Sequence, residues 1–402
     1  MHITDYEIFV VGNPPPGFGG RYFIFTKLTT NTGIVGYGEI YAATFSPDVI
    51  KVMAEDMAER HFLGANPLEL EKLFRQVYGS GYSARPDISL LGVFSGLEMA
   101  CWDINGKAFS QPVYQLLGGK VHEKLRTYSY IYPNSGNVYP DEPDPDHVYI
   151  NPDTAAERAV EYLDQGFTAL KFDPAGPFTT FDPGMPTQVE LDRSEAFIRQ
   201  LRQAVGVKAD LLFGTHGQFT PAGALRLAER LKPYDPLWLE EPVPPDNIEA
   251  MANVAHGTSI PVATGERLTS KYEFAAVLRA NAAAILQLNT GRAGGLLEAK
   301  KIASLAETFH AQIAPHLYCG PVVAAANIQL AACSPNFLIL ESIEDGSGFQ
   351  SELVGHSLVW EDGYAIPTSE PGLGIEFNES LARSNTYREG QLHLEMTPTV
   401  ER

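Results

Sequence analysis

The chain has 402 residues, room for a (β/α) barrel of roughly 250 residues plus a second domain of about 100 to 150. Hydrophobic residues at 44% and charged residues at 19% argue against long disorder, and a net charge of −20 argues against nucleic acid or an anionic membrane as partner. Three cysteines, Cys101, Cys319 and Cys333, in a chain that needs no staples point to reduced thiols and a cytoplasmic setting; Met1 to Glu7 lacks the features of a signal peptide, and no apolar run reaches the roughly 18 residues of a membrane span.

In chain order, Tyr22 to Leu28 and Ile34 to Ile40 read as strands joined by the hairpin signal Thr30-Asn31-Thr32-Gly33. Helical spacing follows over Pro47 to Glu59, Pro67 to Val77 and Leu90 to Phe109. Strands followed by helices predict an α+β capping domain over residues 1–122.

From Arg126 short β-rich runs alternate with amphipathic helices. The predicted strands are Arg126 to Tyr132, Ala169 to Asp173, Asp210 to Phe213, Leu237 to Glu240, Pro261 to Thr264, Ala284 to Gln287, Gln312 to Ala314 and Phe337 to Leu340. Eight strands match the count of an α/β fold of the (β/α) barrel type, a modified TIM barrel over residues 123–375, and no glycine-rich phosphate turn follows the first of them. Residues 376–402 form a polar tail expected to pack back on the capping domain. The long segment Pro133 to Pro152 is expected at the C-terminal face as an active-site loop, its plainer reading being a surface excursion.

Reactive groups of a barrel sit at the C-terminal ends of its strands. Glu240 and Glu266 fall there 26 residues apart, and two converging carboxylates suit a hard cation such as magnesium; the plainer reading is a pair of exposed acids. Ala314-Pro315-His316 delivers a histidine suited to proton transfer, or one that merely packs. Glu341 ends the last predicted strand, placed to hydrogen-bond a substrate carboxylate, and Lys171 and Asp173 share one side of the second. Lys171 either neutralises an anionic substrate or forms a salt bridge in the barrel mouth.

The order Glu240-Glu241-Pro242, Gly265-Glu266-Arg267, Gln287 to Gly295, Ala314-Pro315-His316 and a strand-end Glu341 resembles the enolase superfamily, mandelate racemase/muconate lactonizing enzyme branch. It looks most like the galactonate dehydratase group of acid-sugar dehydratases, and the resemblance extends to Gly36-Tyr37-Gly38-Glu39 and Ala100-Cys101-Trp102-Asp103 in the capping domain. It implies one Mg²⁺ per subunit held by Glu240 and Glu266, with His216 or else water in place of a missing aspartate, or a weaker site; a sugar acid or anhydro sugar acid as substrate; and a homo-oligomer. His316 would be the base, His216 the acid to the departing hydroxyl, and Lys171, Glu341 and Asn289 supporting groups. Asp173, Arg21 and Tyr318 are expected to touch substrate, with specificity set by the loops around Asn13 to Arg21 and Tyr41 to Phe45.

Two departures stand out. Gly214 occupies the place of the resembled family's first metal-ligand aspartate, and Asn289 that of the aspartate paired with the catalytic histidine. Asp173 replaces the second lysine of racemases, which favours one-sided proton abstraction over racemisation. The expected reaction is dehydration to a 2-keto-3-deoxy acid by way of a metal-stabilised enediolate. The alternatives are a cycloisomerase that opens a lactone or anhydro sugar acid, and a barrel that has lost catalysis and only binds.

Overall fold

A computed structural model describes residues 1–134, 144–173 and 183–394. Strand β1 (Ile3–Gly12) pairs antiparallel with β2 (Tyr22–Thr30), and β2 with β3 (Val35–Ile40). The turn between the last two closes where Gly33 donates to the Thr30 carbonyl at 2.9 Å. Helix Ile88–Phe109, capped by Asp87 accepting from the Leu90 amide, crosses this sheet. It lies so close that a Cβ on Gly38 would stand 1.9 Å from the Gly96 carbonyl oxygen, so the glycines of Gly36-Tyr37-Gly38 are required by the contact. Helix Pro47–Met57 ends earlier than its periodicity predicts and passes into a π-helical turn, Ala58–Phe62.

The barrel strands are β4 (Leu125–Tyr130), β5 (Ala169–Phe172), β6 (Asp210–Gly214), β7 (Trp238–Glu240), β8 (Val262–Thr264), β9 (Ile285–Leu286), β10 (Gln312–Ile313) and β11 (Leu340–Ser342). Each pairs parallel with the next as far as β10; β11 pairs with β4, and a bridge between Ile313 and Phe337 joins the remaining edges. Tyr128, Leu212, Trp238, Ala263 and Ala314 fill the interior, so the barrel is a packed core with its chemistry confined to the mouth. Helices such as Gln188–Val205, opened by a Thr187/Glu190 capping box, cover the outside.

The last strand lies later than the sequence predicts. Phe337 makes only the single bridge, whereas Leu340–Ser342 carry the ladder to β4, so Glu341 sits inside the strand and not at its end. A hairpin the sequence reading passed over, β12 (Val359–Glu361) and β13 (Tyr364–Ile366), turns at Asp362-Gly363 and pairs with the start of β4, at the end of the barrel away from the mouth. Beyond the barrel, Arg383 pairs with Glu7, Glu379 with Lys27, and Thr386 bridges Val11. No helix among the described residues is long and apolar enough to cross a membrane.

Candidate active site at the barrel mouth

Parallel strands align their C-terminal ends, so residues far apart in sequence become neighbours at one rim. Register places Gly214 beside Glu240, and Lys171 beside Leu212 and Tyr130. Lys171, Glu240, Glu266, Asn289, His316 and Glu341 are all buried there. The Lys171 ammonium lies 2.5 Å from Glu240 Oε1 and 3.5 Å from Glu341 Oε1. Glu240 Oε2 accepts from Trp238 Nε1 at 3.0 Å and Gln287 Nε2 at 2.7 Å. Across the mouth, His316 Nε2 stands 3.4 Å from Glu266 Oε2 and 3.9 Å from Glu341 Oε2.

His216 leaves β6 with a positive φ of 49°, which aims its ring back over the rim, where Nδ1 bonds Asp173 Oδ2. The other Asp173 oxygen is buried with no hydrogen-bond partner among the described residues. Asp173 therefore has two faces, one orienting His216 and one open to a polar group.

The two histidines differ in electrostatic setting. Burial pulls the His316 pKa down to about 4, with Glu266 opposing only in part, so the ring is neutral near pH 7. Burial acts in the same sense on His216, but the Asp173 charge and hydrogen bond outweigh it and lift the pKa to about 9. Burial also opposes the charge on Lys171, yet Glu240 and Glu341 hold its pKa well above the ordinary lysine value. Glu341 is raised above the usual carboxylate range by burial, against the pull of Lys171.

Asn289 pairs with His316 as expected, and the direction of the bond matters. The Gly291 amide donates to Asn289 Oδ1 at 2.8 Å, which fixes the side-chain amide so that its Nδ2 donates to His316 Nδ1 at 3.0 Å. An aspartate would accept at that place. The ring proton of neutral His316 thus rests on Nε2, the atom facing Glu266, and has to leave it before Nε2 can act as a base.

Mg²⁺ held by Glu240, Glu266 and His216 does not fit this arrangement. Position 214 offers no donor, both Glu240 oxygens are engaged, His216 is turned to Asp173, and no group of three His, Cys, Asp or Glu among the described residues is placed to hold a metal. Mg²⁺ demands near-octahedral oxygen donors, and an ammonium 2.5 Å from one of two remaining carboxylates repels it.

Arg21, expected to touch substrate, donates from Nη1 to the Leu392 carbonyl at 3.0 Å and from its amide to the His393 carbonyl at 3.3 Å, so it fastens the tail. What the tail brings is His393, buried, with its ring 5.4 Å from Tyr41 and 6.2 Å from Tyr318. Tyr41 in turn stacks on His316 at 6.0 Å, beneath the Arg292 guanidinium 3.9 Å from its ring centre. Arg292, which donates to the Glu266 carbonyl, and His393 were missed in the sequence. Gly291-Arg292 just past β9 was a signal for the first; nothing in the polar tail marked the second. Of the Pro133 to Pro152 segment, residues 135–143 lie outside the described residues, and Tyr149 packs edge-on against Tyr130.

The described residues thus form a closed parallel barrel with acids, a lysine and two histidines at its mouth, joined to an α+β domain. Residues 154–381 match the enolase C-terminal domain-like family and residues 18–118 the mandelate racemase/muconate lactonizing enzyme N-terminal domain, and the chain belongs to that family. It is 31% identical over 391 residues to the D-gluconate/D-galactonate dehydratase of Picrophilus torridus, covering 96% of this chain and 94% of that one. It is 32% identical over 382 residues to the D-xylonate dehydratase of Haloferax volcanii, covering 93% and 86%. Among solved structures, the mandelate racemase/muconate lactonizing enzyme-like protein of Roseovarius sp. TM1035 superimposes with a TM-score of 0.94 at 53% identity over 99% of this chain and 98% of that one.

Proposed function

We propose that the chain is an acid-sugar dehydratase, a carbon–oxygen hydro-lyase acting on a polyhydroxylated carboxylate. The observation that carries this reading is two histidines in unlike settings at one mouth, His316 against Asn289 and Glu266 and His216 bonded to Asp173, with Lys171 between Glu240 and Glu341. The names of the relatives, dehydratases of gluconate, galactonate and xylonate, support the substrate class.

In this reading the substrate carboxylate lies against Lys171, and Glu341, when protonated, donates to it. His316 Nε2 takes the proton from the carbon beside the carboxylate in the tautomer that carries the ring proton on Nδ1. That tautomer requires the Asn289 amide to leave the Gly291 N–H and turn so that its Oδ1 accepts from Nδ1. The electron pair is held on the carboxylate as an enediolate. That pair then forms the carbon–carbon double bond as the β-hydroxyl departs with a proton from His216 Nε2, leaving as water. The enol ketonises to a 2-keto-3-deoxy acid. Asp173 Oδ1 accepts from a substrate hydroxyl.

Incubation with a panel of open-chain sugar acids and anhydro sugar acids tests this. The expected result is a 2-keto-3-deoxy product from an open-chain acid, lost in His316→Asn and His216→Asn. Turnover of cyclic substrates alone overturns dehydration in favour of ring opening, and no turnover at all favours a binding role.

A further inference from the structure

Gly214 ends β6 directly beside Glu240 on β7. A Cβ built on Gly214 meets Lys171 Cε at 3.3 Å and Asp173 Oδ2 at 3.4 Å, so the space an acidic side chain there would enter is occupied closely enough that its neighbours would have to give by a few tenths of an ångström. What fills it is the stem of the lysine whose ammonium bridges Glu240 and Glu341 at 2.5 and 3.5 Å. The opposite edge of Glu240 is closed by Trp238 and Gln287, and Glu266 faces His316. Glu240 and Glu341 thus have side-chain N–H partners at this rim, Glu266 lies 3.4 Å from His316 Nε2, and the lysine stem packs closely against the glycine.

We propose that the Lys171 ammonium takes the place of a divalent cation in this chain, seated by Gly214 and held by Glu240 and Glu341, so that the charge developing on the deprotonated acid is met by a covalently attached cation. An ammonium is a compact point charge with three donors; two are spent on the carboxylates, and the third is free for one oxygen of the substrate. Buried among low-dielectric walls, a fixed charge of this kind needs no reorganisation as the enediolate forms. Proton and electron accounting are as given for the elimination above, with no co-reactant added. The inference rests on the dehydratase reading for the substrate, although its first test needs none.

The test is Mn²⁺ binding to the full-length protein after exhaustive chelation, followed by electron paramagnetic resonance of free Mn²⁺. The expected result is well under about one-tenth Mn²⁺ per chain at sub-millimolar ion. One tightly bound Mn²⁺ per chain, abolished by Glu240→Gln and Glu266→Gln, overturns the proposal. In a second arm, turnover of whichever sugar acid proves to be a substrate is expected to change less than about twofold with chelator. A loss of tenfold or more restored by Mg²⁺ overturns it. Because the first arm uses no substrate, absence of Mn²⁺ binding together with absence of turnover defeats the dehydratase reading and leaves the charge assignment standing, whereas metal-dependent turnover does the reverse.

Discussion

Two sets of buried acids lie in this molecule, one along the seam between the α+β domain and the barrel and one at the barrel mouth, and they are satisfied in different ways. At the seam, Glu39 accepts from the amides of Gly320, Val322 and Val323, where helix Pro321–Ala332 begins. Glu98 accepts from the amides of Leu296 and Leu297 and from Trp102 Nε1, and Asp103 from the amides of Tyr37 and Leu373 and from Lys107. Most of these partners are main-chain N–H groups, which neither titrate nor leave, so the seam acids fasten two domains together. At the mouth the partners are mostly side chains, and Lys171 and the two histidines among them carry or exchange protons themselves, although Glu240 also accepts from Trp238 and Gln287 and Glu341 from the Leu317 amide. Burial therefore stiffens the first set and primes the second.

The sharpest way to break that contrast is to remove the cation from each. Lys171→Met leaves Glu240 and Glu341 buried without their shared partner, so turnover is expected to fall by about a thousandfold and stability by about 3–5 kcal/mol. Lys107→Met, by contrast, leaves Asp103 its two amide donors and is expected to cost about 1–2 kcal/mol with turnover retained. Thermal melts and steady-state rates on both variants check this, and similar losses from the two would dissolve the distinction.

The seam also predicts a pH dependence. Burial lifts both Glu39 and Glu98 to about 7, against the downward pull of their amide donors, whereas unfolded chain returns them to 4.5. The folded state thus binds more protons between those values, so the contribution of these groups is full below about 4.5 and is lost as pH rises through 7. At about 1.4 kcal/mol per unit, each contributes roughly 3–4 kcal/mol across the window. Urea unfolding at several pH values should show Glu98→Gln flattening the slope by about half; an unchanged slope would remove burial as its cause.

How far the sequence reveals this contrast depends on whether period or partner defines the feature. From β6 onward strand ends recur every 22 to 29 residues, which made Glu240, Glu266, His316 and Glu341 legible as one rim, because a closed barrel converts sequence period into spatial adjacency. Lys171 was legible from its place at the end of the second strand, although the ends of β5 and β6 lie 42 residues apart. The direction of the Asn289 bond was not legible, since it is fixed by the Gly291 amide two residues on. Nor was the role of Lys171, which depends on a side chain that Gly214 lacks. Arg21 and His393 meet across most of the chain's length, and no local pattern announces such a contact.

Asn289→Asp sharpens the mouth itself. Aspartate accepts where asparagine donates, so the neutral ring would carry its proton on Nδ1 and present the Nε2 lone pair; the added charge would also raise the His316 pKa from about 4. The acid limb of the rate profile is expected to move upward in pH, and proton exchange at the substrate α-carbon to quicken by about tenfold. Nitrogen chemical shifts of the His316 ring report the tautomer directly. A native ring already protonated at Nδ1 would contradict the assignment.

The smallest effect is expected where the two regions meet, at the tail that roofs the mouth. Arg21 holds Leu392 and His393 by their carbonyls, and His393 lies against Tyr41, which covers His316. Arg21→Ala removes the guanidinium bond and leaves the amide bond, so the tail loosens without altering any group that handles a proton. The substrate KM is then expected to rise a few-fold with kcat nearly unchanged, because the roof orders substrate and takes no part in the bond changes. Protease nicking of the tail should quicken in the same variant. Were kcat to fall as steeply as in Lys171→Met, Arg21 would have to reach the reacting carboxylate after all, and the division between fastening and chemistry would not extend to the roof.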